Sequence, residues 1–146
     1  MSDMSVLSHE YKTASELSQH ISTALILLKK VYYHLPGEEA VRPEELDRHR
    51  HALATILTTL VGLLTVPRPE PVTSALGVSI PETLVMRLQA ERRGDLIYYL
   101  DDLVGVAERL REQPFQLEDA DLALLDQLAT VADAEASSVY RRLMRI

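Results

Sequence analysis

The sequence contains no cysteine, no tryptophan, a single phenylalanine and only five glycines in 146 residues. Without cysteine the chain has no disulfide, no thiolate metal ligand and no cysteine nucleophile. So few glycines leave little chain for tight hairpins. The residues that are present, 47% hydrophobic and 25% charged, have the composition of a folded globular protein rather than a disordered one.

The sequence also lacks an apolar run long enough to cross a membrane. Its longest apolar stretch, Ala52–Val66, has about 15 residues and is interrupted by threonines, whereas a spanning helix needs roughly 20. The first seven residues have neither the basic nor the apolar region of a signal peptide. We therefore expect a cytoplasmic protein that does not enter a membrane.

Positive charge is scarce, and the net charge is −7. Most of the excess acid lies in residues 95–146, while residues 67–94 form the only basic stretch. Because a negative chain is repelled by a phosphate backbone, this charge disfavours binding of nucleic acid by bulk electrostatics.

Apolar residues recur at alternating steps of three and four, which is typical of helices that pack side by side. The spacing predicts helices over about 8–34, from Pro43, from Ile80 and from Leu117 or Glu118. Ser79 is the expected N-cap of the third helix, and Glu82 would complete its capping box. The last helix has the most regular buried row, which comprises Leu122, Leu125, Ala129, Ala132, Ala136, Val139 and Leu143.

We predict an all-α, up-down bundle of four to five helices, with the third helix broken near Gly94. The whole chain, residues 1–146, is expected to form a single domain. Three prolines within residues 66–72 make that segment a candidate hinge.

The most specific functional hint is apolar surface beyond what a four-helix bundle needs, especially on the second helix after Ala52. Either that helix is central to its own bundle, or its extra face pairs with another subunit. Tyrosine pairs, with an apolar ring and a polar hydroxyl, suit the partly solvent-exposed edge of such an interface. The candidate interface residues are Leu25, Tyr32, Tyr33, Leu57, Val61, Leu64, Tyr98 and Tyr99.

These features favour a non-catalytic protein–protein interaction or assembly module, either a homo-oligomer or a small helical adaptor of a larger complex. The acidic stretch Leu117–Asp133 would set the choice of partner by charge, unless it is simply a solvated helix face. The substitution Leu57→Glu or Val61→Glu distinguishes the two alternatives for the second helix. It would dissociate a complex if that face is exposed and unfold the chain if it is core.

A DNA-binding regulator is the first alternative, because residues 72–88 resemble a helix-turn-helix with a glycine turn at Gly77. The resemblance is degenerate, since Thr73 stands where a small residue is usual and Pro81-Glu82 lengthens the turn. The recognition segment would extend over 72–93, but its outer face has few basic groups.

A metal- or small-ligand-binding bundle is the second alternative. Glu16 with His20, and Glu45 with His49, are pairs four residues apart on neighbouring helices. Metal-binding bundles usually add carboxylates from two further helices, and the acids here are expected on polar faces, with His49 in the buried row of its helix. No phosphate-binding glycine loop or serine-nucleophile motif occurs. We therefore predict no cofactor, no metal and no catalytic residue.

Overall fold

The computed structural model describes residues 3–33, 41–65, 79–112 and 116–145. Every element in these residues is a helix, which confirms the predicted all-α bundle. The elements are α1 (Asp3–Tyr33), α2 (Pro43–Thr65), α3 (Glu82–Glu91), α4 (Leu96–Arg111) and α5 (Asp119–Met144). The proposed hinge at 66–72 and the first half of the helix-turn-helix lie outside the described residues.

Contacts between distant residues show that neighbouring helices run in opposite directions. Lys29, near the end of α1, donates to Asp126 near the start of α5 at 2.8 Å. At the other end of the same pair, Arg142 and Glu10 lie 3.9 Å apart. Arg50, early in α2, donates to the carbonyl oxygen of Glu112 just beyond α4. The chain therefore runs up and down the bundle, with α3 and α4 together forming its third arm.

The third arm is broken by a turn at residues 92–95, as predicted from Gly94. Arg92 holds this turn, because its guanidinium donates to Asp95 at 3.3 Å and to Gln127 at 2.8 Å. The same guanidinium lies 4.5 Å from the centre of the Tyr99 ring, a favourable cation–π distance. The break is therefore fixed by side-chain contacts as well as by its sequence.

The start of α3 differs from the prediction. Ser79 is not the N-cap; Pro81 takes that position, in an extended conformation and with no side-chain capping bond. A proline disfavours helical geometry at the residue before it, so the helix cannot begin at Ile80. By contrast, α5 starts where it was expected, with Glu118 as N-cap and Asp121 completing a capping box.

Helix α2 is the central element, since it packs against α1, α3 and α4. This explains why its second half is apolar on almost every side. Of the two alternatives left open by the sequence, the structure favours the first, because the broad apolar face of α2 is covered within one chain.

The core also contains charged side chains, among them acids that the sequence placed on polar faces. Arg50 is fully buried in α2, whereas its neighbour His49, expected in the buried row, is only half-buried. Asp121 and Glu135 of α5 are buried as well. Each carboxylate is paired: Asp121 with Arg109 and Glu135 with Arg87. The expectation was wrong because buried charge is tolerated where a partner from another helix reaches it.

Candidate functional site

The eight candidate interface residues fall into three groups in the structure. Half of them are buried within the single chain: Leu25, Leu57, Leu64 and Tyr99. Tyr32 and Val61 are partly buried against the core. Only Tyr33 and Tyr98 are more than half exposed, at 55% and 74%.

The tyrosine pair of α1 has a structural partner. The Tyr32 hydroxyl donates to Asp119 at the start of α5, and its ring meets that of Tyr33 edge to face at 5.0 Å. The hydrogen bond to Asp119 raises the pKa of Tyr32, with smaller contributions from burial and neighbouring negative charge. This pair therefore ties the end of α1 to the start of α5.

The second tyrosine pair is split between the two sides of α4. Tyr99 points into the core, and burial raises the pKa of its hydroxyl. Tyr98 points outward and belongs to a larger surface, which we call the α4 face. Its members are Ile97, Tyr98, Asp101, Val104 and Glu108.

The α4 face combines exposed apolar side chains with carboxylates. Ile97 and Tyr98 are each 74% exposed and Val104 is 41% exposed. Steps of four, three and four residues, from 97 through 101 and 104 to 108, place four of its members on one side of the helix, and Tyr98 lies at the edge of that side. The opposite side of α4 is buried throughout, through Tyr99, Leu103, Val106, Ala107 and Leu110.

A groove borders this face on one side. It lies between α4 and α5, has a volume of about 380 Å³, and is lined by the buried side chains of Tyr99, Val106 and Leu124. The groove exists because α4 packs closely on α2 rather than on α5. Arg109 bridges it, donating two hydrogen bonds to Asp121 at 2.7 and 2.6 Å.

Three exposed carboxylates lie along α4. Among the described residues, Asp101, Asp102 and Glu108 form no ion pair. In the stretch Leu117–Asp133, two of the five carboxylates are paired, Asp121 with Arg109 and Asp126 with Lys29. Uncompensated negative charge therefore lies on α4 as well as in the acidic stretch that the sequence indicated.

The histidine pairs do not assemble a metal site. Burial is the main cause that lowers the pKa of His49, and the charges of Arg48 and His20 lower it further while Glu45 opposes them. His20 therefore lies near His49, as expected for neighbouring helices. Over residues 3–33, 41–65, 79–112 and 116–145, however, no three histidines or acids come together in a way that could hold a metal ion.

The part of the proposed DNA-binding segment that the structure describes is a packed helix. Its apolar residues Ile80, Leu84, Val85 and Leu88 are buried in the core. Two of its arginines already donate hydrogen bonds within the chain: Arg87 to Glu135 at 2.9 Å, and Arg92 to Asp95 and Gln127. They are not available as a cluster for phosphate contacts.

Of the α4 face, only Tyr98 was among the candidate interface residues predicted from the sequence. The signal for the rest was available in Ile97 and Val104, two apolar residues seven positions apart that lie on one side of the helix. Asp101, on the same side between them, gives that side a polar pattern.

Comparison with known proteins finds no relative of this chain. No family model, no curated protein and no solved structure matches this chain. Within the described residues, none of the helices is both long and apolar enough to cross a membrane.

Proposed function

We propose that this chain is a non-catalytic protein-interaction module, a small helical adaptor whose partner binds the α4 face. The observation that carries the proposal is that α4 has one buried side and one side with exposed apolar groups. One side of the helix is completely buried and holds it in the bundle, while the other exposes Ile97, Tyr98 and Val104 to solvent. Exposed apolar groups edged by polar residues are a feature of protein interaction sites, and they support this proposal.

The groove beside the α4 face supports the same proposal. Recognition of a helix or extended segment commonly uses an apolar groove that accepts anchor side chains. Here Tyr99, Val106 and Leu124 line such a groove next to exposed Tyr98. An aromatic side chain at the rim of a groove is also a frequent source of binding energy.

A photo-crosslinking amino acid placed at Val104, in cells of the source organism, tests the proposal. Thr23, an exposed position on α1, is the matched control. We expect one reproducible crosslinked partner at position 104 and not at position 23. Equal crosslinking at both positions, or none at either, would contradict the proposal.

The partner is then purified, and its affinity is measured with two double variants. Ile97→Ser with Val104→Ser removes apolar groups from the α4 face. Ile26→Ser with Met86→Ser removes comparable exposed apolar groups elsewhere, since both residues are 56% exposed. We expect a loss of at least about tenfold in the first variant and less than about twofold in the second. Similar losses in both would show that the contact is not specific to α4.

A further inference from the structure

We infer that the occupant of the α4 face is a basic amphipathic helix supplied by another protein, an inference that rests on the proposed function. Its apolar side would cover Ile97, Tyr98 and Val104. Its lysines or arginines would reach Asp101, Asp102 and Glu108. The argument depends on which charges around this face remain uncompensated.

Two carboxylates of the α4 face, and Asp102 in the neighbouring groove, have no cationic partner in the described part of the chain. Asp101, Asp102 and Glu108 are all exposed, and none appears in an ion pair there. They alternate along the helix with the exposed apolar groups at 97, 98 and 104. A partner that covers the apolar stripe must therefore also face these negative charges, and complementary charge favours a basic one.

Two of the arginines nearby are already paired with carboxylates of the chain. Arg109 gives both of its hydrogen bonds in the groove to Asp121. Arg92 is held by Asp95 and Gln127 and lies over the Tyr99 ring. Arg111, at the end of α4, donates to the neutral hydroxyl of Thr58 at 3.1 Å and keeps its charge. The three carboxylates outnumber it, so an approaching helix still meets net negative charge along α4.

The shape of the neighbouring surface suits a helix. On the α5 side the groove is lined by Ala120 and Ala123, two small exposed residues. Small side chains allow a docked element to approach closely, while the deeper lining of Tyr99, Val106 and Leu124 accepts its anchor side chains. The groove volume of about 380 Å³ is of a size for side chains rather than for a helix backbone. A helix would therefore lie over the groove and along the α4 face.

The same charges disfavour other occupants. In a two-fold pairing of α4 faces, the same patch meets itself, so Asp101 and Glu108 would approach carboxylates of the second copy. An anionic membrane surface and a phosphate backbone carry the same sign of charge as this face. A cationic helix is the occupant that gains both apolar burial and electrostatic attraction.

A synthetic helix of about 18 residues, built from leucine and lysine, serves as the probe, since shorter helices are marginal in water. A matched helix of leucine and glutamate is the control peptide. Binding to the full chain is followed by fluorescence anisotropy at low and high salt. We expect saturable binding of the lysine peptide that weakens with salt, and no binding of the glutamate peptide.

Two triple variants locate the charge effect. The first changes the face: Asp101→Asn, Asp102→Asn and Glu108→Gln. The second changes net charge equally at exposed sites elsewhere: Glu16→Gln, Glu44→Gln and Glu82→Gln. We expect the face variant to weaken the lysine peptide at least tenfold at low salt and the control variant less than twofold, because the attraction is local rather than due to the net charge of −7.

The outcomes separate this inference from the proposed function. Equal weakening by both triple variants, or equal binding of both peptides, would overturn the inference. If neither peptide binds while the purified natural partner still requires Ile97 and Val104, the basic-helix inference fails and the proposed function stands. If replacing Ile97 and Val104 changes no binding at all, both fail.

Discussion

At the scale of single residues, the core is specified by a few buried charges set among leucines. Arg50, Asp121 and Glu135 each bind a group on another element: the end of α4, Arg109 and Arg87 respectively. Leucine contacts tolerate small slides of one helix along another, whereas a hydrogen-bonded charge has a fixed partner. Together these residues help to fix the relative positions of the helices.

The pair of Asp121 and Arg109 gives a pH-dependent prediction. Burial disfavours the charged carboxylate, but the hydrogen bonds from Arg109 and the Glu118 amide, with the attraction of Arg109, outweigh it and lower the pKa of Asp121. A group whose pKa is lower in the folded state stabilises the fold above its ordinary pKa. That stabilisation is lost as the pH falls through the folded pKa.

We therefore expect Asp121→Asn to reduce the free energy of unfolding by about 1–3 kcal/mol at neutral pH. The difference from the unmodified chain should be constant above about pH 5 and shrink below about pH 4. Urea denaturation at several pH values measures it, with Asp101→Asn at an exposed site as control. A difference that grows in acid would contradict this assignment.

Arg50 gives the second prediction at this scale. It is fully buried and donates to the carbonyl oxygens of Leu110 and Glu112, where α4 leaves carbonyls without partners in the helix. Arg50→Met keeps much of the volume but removes these bonds, so we expect a loss of about 3 kcal/mol in the free energy of unfolding. Arg50→Lys should lose less, and a methionine variant as stable as the unmodified chain would refute this role.

At the scale of helices, the sequence predicted the elements well because each carries its own local signals. Of the buried row expected for α5, the residues from Leu122 to Val139 are buried except Ala129, which is partly buried against the core, and α2 begins at Pro43 as predicted. What could not be predicted depends on other helices. The sequence pattern does not reveal that Arg50 reaches the end of α4, because the carbonyls it binds lie 60 residues away along the chain.

The break between α3 and α4 allows a test at the same scale. The backbone of Gly94 is not left-handed, and a Cβ there would meet nothing within 4 Å. We therefore expect Gly94→Ala to be neutral or to stabilise by up to about 1 kcal/mol, by restricting the unfolded chain. Arg92→Ala should instead destabilise by about 1–2 kcal/mol, through loss of its hydrogen bonds and cation–π contact. Thermal denaturation of both variants measures these changes. If Gly94→Ala is the less stable of the two, the glycine rather than Arg92 determines the break.

At the scale of the whole molecule, the candidate site was only partly predictable. Excess apolar residues were correctly noticed, but the sequence cannot say which helix becomes central. Once α2 packs against three other helices, Leu57 and Leu64 are enclosed. On α4, Ile97, Tyr98 and Val104 remain exposed, and of these only Tyr98 was among the candidate interface residues.

Matched glutamate substitutions test this division between core and surface. Leu57 is 0% exposed, and an unpaired charge at such a site is strongly disfavoured. Leu57→Glu should abolish cooperative thermal unfolding monitored by circular dichroism. Ile97→Glu, on the α4 face, should change the free energy of unfolding by no more than about 0.5 kcal/mol. A folded, soluble Leu57→Glu protein would mean that α2 is not central.

The charge of the α4 face also bears on the state of association of the whole molecule. Two-fold pairing of this face would bring Asp101 and Glu108 against like charges at short range, and the repulsion is strongest at low salt. We therefore expect light scattering at low ionic strength to find a monomer of 16.4 kDa over a wide concentration range. The homo-oligomer expected from the sequence stays a prediction that the same measurement tests. If a stable dimer forms and Ile97→Glu dissociates it, a second copy of the chain occupies the α4 face. If a dimer forms that Ile97→Glu does not affect, self-association uses another surface, such as the one around exposed Tyr33.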